Sequence, residues 1–250
     1  MTEYLYFSIY SLIQGITEFI PISSSGHLNM LEILKNNTNE RNYLNETTVH
    51  FASLLALLIY LSRNSHFLYS NIKSNFLSII CGTVPAIIVG LLILKLSYDF
   101  VSLKLIGWTS IFGGVLLFIS DYNKNNWIQL NNKFSKFIFA GFFQCLAFLP
   151  GFSRSGSCII AFRILGEDRK QSSIYSLYMG LPIITLSFLS NFTGLDKIVF
   201  NSTLVFIFVI TFFSAYITLV YFIKFINKIG FTPFVIYRII LGIIILIFFS

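Results

Sequence analysis

The sequence predicts an all-α integral membrane protein, with six transmembrane helices and two re-entrant helix hairpins arranged as an inverted-topology repeat. Hydrophobic residues make up 56% of the 250 positions and charged residues only 11%, a composition outside the range of soluble domains. Apolar runs of membrane-spanning length recur along the chain. Two similar motifs lie 130 residues apart. We therefore expect a single membrane domain, residues 1–250, with repeat halves of about 1–120 and 137–250.

Six apolar runs are predicted to cross the membrane completely. They are Glu46–Leu61, Phe76–Leu96, Val101–Ser120, Ile174–Ser190, Leu204–Ile223 and Pro233–Phe249. Tyr4–Leu34 and Phe137–Leu165 are also apolar, but each contains proline, glycine and a serine cluster near its centre. Proline cannot continue a helix, because it lacks an amide donor and crowds the preceding turn. Irregular backbone survives at membrane depth only where protein or water satisfies it, so both regions are predicted to be re-entrant hairpins.

The charges of the loops predict how the chain is oriented. Three connections are basic, namely Ser62–Asn75, Asp121–Lys136 and Lys224–Lys228, whereas acids are concentrated in Glu32–Glu46 and also occur in Asn191–Thr203. Basic loops face the cytoplasm, although the short basic turn before the third crossing departs from this pattern. The first hairpin would then enter from outside and the second from the cytoplasm. In proteins with inverted repeats, such broken segments meet near the middle of the membrane and form the polar site there.

The net charge of +7 does not indicate a nucleic-acid partner. The basic residues are dispersed over short loops, and the chain has no dense basic tract interleaved with aromatic residues. Orientation of the loops and contact with anionic membrane lipids account for the excess of positive charge. We therefore expect membrane lipids as partners and no nucleic acid.

The two motifs carry polar residues in otherwise apolar surroundings. The first reads Gln14-Gly-Ile-Thr-Glu18-Phe-Ile-Pro21-Ile-Ser23-Ser24-Ser25-Gly26-His27, and the second reads Gln144-Cys-Leu-Ala-Phe-Leu-Pro150-Gly-Phe-Ser153-Arg154-Ser155-Gly156. At one fixed offset, glutamine, two serines and glycine recur. A carboxylate and a guanidinium persist in hydrocarbon mainly when they are paired, solvated or functional. Glu18 and Arg154 are therefore the strongest candidates for site residues.

The residue types around this pair fit the binding of phosphate. Gln14 and Glu18 share one helical face, and His27 is close enough to Ser24 to share a ligand. The hydroxyls and amides of Ser23, Ser24 and Ser25 resemble an anion cradle. Arg154, with Ser153 and Ser155 beside it, adds a planar fork of donors suited to phosphate.

Other interpretations of these residues remain open. Ser25 and Ser155 are also typical of helix caps or packing, Gln14 could hydrogen-bond across helices, and Glu18 and Arg154 could form a purely structural buried pair. His50 is interpreted as a loop or interfacial residue. From the residues alone, the chain is either a transporter or flippase with an anion site, or an enzyme that acts on a lipid phosphate.

Both motifs, at this separation, resemble those of bacterial undecaprenyl-diphosphate phosphatases of the bacitracin-resistance type. The resemblance extends over most of the chain. It implies hydrolysis of undecaprenyl diphosphate to undecaprenyl phosphate and inorganic phosphate, which recycles the lipid carrier for peptidoglycan synthesis and confers bacitracin resistance. It also implies a multi-pass protein of the bacterial plasma (inner) membrane, with an active site that opens to the periplasmic or outer side. It does not decide whether the protein forms a homodimer. The alternative function, that of a polyprenyl-phosphate flippase, would use the same site.

The resemblance also assigns roles to residues. Glu18, Ser24, His27 and Arg154 are expected to be catalytic, and Gln14, Ser23, Ser25, Ser153 and Ser155 to bind the substrate. A divalent cation, Mg²⁺ or Ca²⁺, is expected at Glu18. Either Ser24 attacks the terminal phosphorus, with Glu18 or His27 as the base, or a metal-bound water attacks.

Two positions depart from the usual pattern of that family. Gln14 stands where the family takes glutamate or glutamine, and Cys158 stands where threonine is usual. A scheme that requires two carboxylates on that helix to hold the cation therefore cannot be general. A thiol replaces any hydroxyl contact at position 158.

Overall fold

The structure is a computed structural model that describes residues 3–34, 43–63, 65–96, 101–122, 127–192 and 202–249. The predicted loops Glu32–Glu46 and Asn191–Thr203 lie in large part outside these residues. The described residues form ten α-helices and a short 3-10 helix. The α-helices are α1 (Glu3–Thr17), α2 (Ser24–Leu34), α3 (Tyr43–Arg63), α4 (Ser65–Leu96), α5 (Leu103–Tyr122), α6 (Lys133–Gln144), α7 (Arg154–Ile164), α8 (Arg169–Phe192), α9 (Ser202–Ile229) and α10 (Thr232–Phe248).

Both apolar regions with central prolines are broken where the sequence predicts. In the first, α1 ends at Thr17 and α2 begins at Ser24. In the second, α6 is followed by the 3-10 helix Cys145–Phe148, and α7 begins at Arg154. We call residues 18–23 the first loop and residues 149–153 the second loop. The prediction of two helix–loop–helix units is confirmed at this level.

Four helices among the described residues are long and apolar enough to cross a membrane, and α10 is a shorter apolar helix. The four segments are Ser74–Ile93, Leu103–Tyr122, Arg169–Ser190 and Ser202–Ile229. Helix α3, which covers the predicted crossing Glu46–Leu61, is not among them. The protein is therefore an all-α, multi-pass membrane protein.

The apolar exposed surface of α9 agrees with a lipid environment. Val205, Val209, Phe213 and Ile217 are exposed at every fourth position, whereas Thr211 on the same helix is fully buried. A helix in water has the reverse arrangement, with its apolar stripe turned inward. The exposed side of α9 is suited to lipid tails.

The helices of the two halves pack in corresponding pairs. At the 130-residue offset, α1 corresponds to α6, and α4 corresponds to α9. Helix α1 packs on α9, and α6 packs on α4. Helices α5 and α10, which also correspond, pack on each other, and so do α3 and α8. These pairs enclose the two loops.

Both ends of the second hairpin, α6–α7, lie near the same end of α5. Lys136, near the start of α6, pairs with Glu167, which follows α7, at 2.7 Å. Asp121, at the end of α5, accepts two hydrogen bonds from Arg169, at 2.8 and 2.9 Å, and lies 3.3 Å from Arg163 of α7. The start of α6 and the segment that follows α7 therefore lie close together at one end of α5, and most of the second loop is buried.

Candidate active site

The first and second loops have the same local geometry. Ser23 has φ 77° and Ser153 has φ 80°, in the left-handed region that residues other than glycine rarely adopt. Each hydroxyl accepts a hydrogen bond from the amide three residues later, that of Gly26 at 3.2 Å and that of Gly156 at 3.1 Å. Such backbone costs about 1–3 kcal/mol and is concentrated at functional sites. The repeat seen in the sequence is thus a repeat of conformation, with a serine capping α2 in one loop and α7 in the other.

The two loops are held together by buried hydrogen bonds. The Ser155 hydroxyl donates to the carbonyl of Ile20 at 2.8 Å. Arg238, in α10, is 0% exposed and donates to Pro21 O of the first loop at 3.2 Å. It also donates to Gly151 O at 3.1 Å and Phe152 O at 2.7 Å, both in the second loop. Arg238 therefore fixes the position of one loop relative to the other.

Glu18 and Arg154 meet where the loops come together. Arg154 Nη2 donates to Glu18 Oε1 at 2.9 Å. Glu18 Oε2 accepts hydrogen bonds from Ser24 Oγ at 2.7 Å and from Gln14 Nε2 at 3.1 Å. Ser24 and Arg154 are the first residues of α2 and α7, so two helix N-termini, which favour anions, are directed at this point. A hydroxyl and a fixed cation are thus each within hydrogen-bond distance of the same carboxylate, which can take the proton of the hydroxyl.

A cavity of about 250 Å³ opens beside this cluster. Of the predicted site residues, Glu18, Ser23, Ser24, Ser25, Ser153 and Arg154 line it. Its apolar lining residues are Ala86, Ala147, Phe148, Ile183 and Ile184. A lining of both kinds suits a ligand that has a charged head and an apolar chain.

Three predicted site residues lie outside the lining of the cavity. Gln14 and Ser155 support it through their hydrogen bonds to the first loop. Both ring nitrogens of His27 are engaged, Nδ1 with Ser23 O and Nε2 with the Tyr237 hydroxyl, each at 2.6 Å, and the ring stacks on Tyr237. Of the two bases considered for Ser24, only Glu18 is hydrogen-bonded to its hydroxyl in this structure.

The donor set fits a divalent cation that is shared with a substrate, but not a cage made by protein alone. No group of three His, Cys, Asp or Glu residues that could hold a metal is found within the described part of the chain. Mg²⁺ is usually bound by one or two carboxylates together with phosphate oxygens and water. The carboxylate of Glu18, with the hydroxyl of Ser24 2.7 Å away, supplies the oxygen ligands that such a shared site requires.

The family of bacitracin resistance protein BacA matches residues 7–244. This match covers nearly the whole chain, including both loops and every residue of the cluster. The chain belongs to this family.

Curated members of the BacA family are similar to the chain over almost their full length. A protein from Pelagibacter ubique is 36% identical, with 96% of this chain and 95% of that protein covered. A protein from Vesicomyosocius okutanii is 35% identical, with 94% and 96% covered, and one from Methanococcus aeolicus is 33% identical, with 96% of each covered. All three are named undecaprenyl-diphosphatase.

Sequence reasoning missed three residues of this BacA-family site. Arg238 carried a usable signal, since a lone arginine within a predicted crossing is costly unless it has partners. His50 lies within α3 rather than in a loop, and it lines the cavity, whereas the sequence indicated only a loop or interfacial residue. Gln144 also lines the cavity, although the sequence indicated it only as the repeat counterpart of Gln14.

Proposed function

We propose that the chain hydrolyses undecaprenyl diphosphate to undecaprenyl phosphate and inorganic phosphate. The observation that carries the proposal is the contact of Glu18 with both Ser24 and Arg154, at 2.7 and 2.9 Å. The names of the curated relatives and the cavity, which is lined by both polar and apolar side chains, support the same substrate class. Nothing in the comparisons supports the alternative of a lipid flippase. The reaction returns the lipid carrier to peptidoglycan synthesis, and loss of the diphosphate accounts for bacitracin resistance.

The geometry supports a mechanism in two steps. Ser24 Oγ attacks the terminal phosphorus as its proton passes to Glu18, and the bond from that phosphorus to the bridging oxygen breaks. Undecaprenyl phosphate leaves with the bridging oxygen, and a phosphoserine remains. Water then displaces Ser24, Glu18 returns its proton to the serine oxygen, and inorganic phosphate is released. Arg154 and the amides at the start of α2 neutralise charge that develops on the phosphoryl oxygens.

A divalent cation, Mg²⁺ or Ca²⁺, would be held by Glu18 together with phosphate oxygens of the substrate. When bound, it supplies charge neutralisation and a fixed orientation of the diphosphate. Direct attack by water remains the alternative to a phosphoserine, with Ser24 then acting only to position the substrate.

We also propose six crossings and two re-entrant hairpins in an inverted-topology repeat, in the bacterial plasma membrane, with the cavity open to the outer side. The corresponding helix pairs and the matching backbone of Ser23 and Ser153 support the repeat. The basic connections Ser62–Asn75, Asp121–Lys136 and Lys224–Lys228 support a cytoplasmic position for the opposite end of the bundle.

The proposed activity is tested with purified protein in detergent and farnesyl or undecaprenyl diphosphate. Release of inorganic phosphate that depends on Mg²⁺ or Ca²⁺ is expected. Lipid movement in liposomes without phosphate release would overturn the assignment. A phosphoserine trapped at Ser24 by rapid quench, with no turnover in Ser24→Ala, is expected for the two-step route. Substantial turnover in Ser24→Ala would replace that route by attack of water.

A further inference from the structure

Two buried side-chain nitrogen atoms at the cavity have no hydrogen-bond partner among the described residues. They are Nδ1 of His50, from α3, and Nε2 of Gln144, from α6, and both residues line the cavity. An amide nitrogen is a donor, and a histidine Nδ1 is a donor in the tautomer that carries its proton there. Gln144 is only 1% exposed. A buried donor without a partner costs free energy, so such groups in a native structure require an explanation. The hydroxyls of Ser11 and Ser53 are also buried and unpartnered, but these residues do not line the cavity.

The repeat shows why the amide of Gln144 is free. In the first half, Gln14 Nε2 donates to Glu18, four residues later. At the 130-residue offset, Gln144 matches Gln14 but Phe148 matches Glu18, so the second half has no carboxylate to accept this bond. The thiol of Cys158 donates to Gln144 Oε1 at 3.1 Å, which orients the amide and leaves Nε2 as its free donor.

The charges of the cluster indicate what these donors bind. A diphosphate ester carries several negative charges, whereas the single guanidinium that lines the cavity, that of Arg154, is shared with Glu18. Charged phosphate oxygens are strong acceptors for N–H donors. The proposed mechanism places one phosphorus at the cluster of Glu18, Ser24 and Arg154. The second phosphate of the substrate therefore needs donors elsewhere in the same cavity.

We propose that His50 Nδ1 and Gln144 Nε2 form a second phosphate subsite, which holds the phosphate bonded to the lipid. The proposal rests on the proposed function and extends it. The terminal phosphate lies at Glu18, Ser24 and Arg154, and the phosphate that leaves with the lipid lies at His50 and Gln144. The protein then favours diphosphates over monophosphates, because only a diphosphate reaches both sets of donors.

The test measures binding without turnover, so that it is independent of hydrolysis. Methylenediphosphonate, which cannot be hydrolysed at its P–C–P bridge, and methylphosphonate are titrated into the detergent-solubilised protein by isothermal titration calorimetry. We expect His50→Ala and Gln144→Leu each to weaken the binding of methylenediphosphonate about tenfold or more, because each variant loses a hydrogen bond to a charged group. The affinity for methylphosphonate should change less than about twofold, because this probe needs only the terminal subsite.

Two further variants separate a lost donor from a damaged fold. Ser53→Ala, one turn along α3 from His50 and away from the cavity, should bind both probes as the unmodified protein does. His50→Asn, which keeps an N–H group near the place of Nδ1, should recover much of the affinity. Unchanged affinity for methylenediphosphonate in His50→Ala or Gln144→Leu, equal losses for both probes, or no binding to the unmodified protein would each overturn the subsite. Phosphate release from farnesyl diphosphate, measured in parallel, reports separately on the proposed function.

Discussion

Gly180→Ala should lower turnover although residue 180 does not line the cavity. A Cβ built at Gly180, on α8, would lie 2.9 Å from Cζ of Arg154 and closer still to Nη1. Ordinary contacts are 3.4–4 Å, and the closer contact with Nη1 sets the displacement, so the guanidinium must move by about 1 Å or more. That movement disturbs the 2.9 Å bond to Glu18. Since a displacement of about 1 Å at a catalytic group can cost about 100-fold, we expect a loss of about 10- to 100-fold in kcat.

The assay is phosphate release from farnesyl diphosphate, together with thermal unfolding in detergent. Alanine is favoured over glycine in a helix by about 1 kcal/mol, which offsets part of the strain, so Tm should change little. In an Arg154→Ala background, Gly180→Ala should cause no further loss of turnover, because no guanidinium remains to be displaced. Wild-type turnover in the single variant would refute the view that the position of Arg154 limits the rate. An equal further loss in the Arg154→Ala background would assign the effect to α8 itself.

Three other substitutions test the remaining contacts of the site. Arg154→Lys should lower turnover by about 10²–10³, because an ammonium cannot reproduce the planar fork of donors. Near-normal phosphate release would show that Arg154 acts only through its positive charge. Glu18→Gln should abolish turnover, whereas Gln14→Glu should remain active with a steeper dependence on Mg²⁺, since it adds a carboxylate; activity in Glu18→Gln would exclude Glu18 as the base. Arg238→Met should lower the free energy of unfolding by about 3–5 kcal/mol, since it leaves buried carbonyls of both loops without a hydrogen-bond donor. Unchanged denaturant unfolding in detergent would show that the loops hold together without Arg238.

The sequence by itself determined the membrane character, the position of both loops and the identity of the central cluster. Hydropathy, proline and serine clusters are local properties, so the breaks after Thr17 and before Arg154 could be predicted within a few residues. Glu18 and Arg154 could be singled out because isolated charges in apolar surroundings are costly wherever they lie. The recurrence of Ser23 as Ser153 also predicted two related loops, which the structure shows with nearly equal φ angles.

Only the tertiary structure decided which side chains face the cavity and which are occupied elsewhere. His27 lies in the motif, yet its nitrogens are engaged by Ser23 and by Tyr237 of α10. His50 lies outside both motifs, yet the position of α3 places it at the cavity. The physical reason is that many hydrogen-bond partners are set by which helices pack together. His27 and Tyr237, like Glu18 and Arg154, are more than one hundred positions apart in the chain. Local sequence specifies where a helix must end, whereas the environment of a polar side chain depends on neighbours that only the packed bundle supplies.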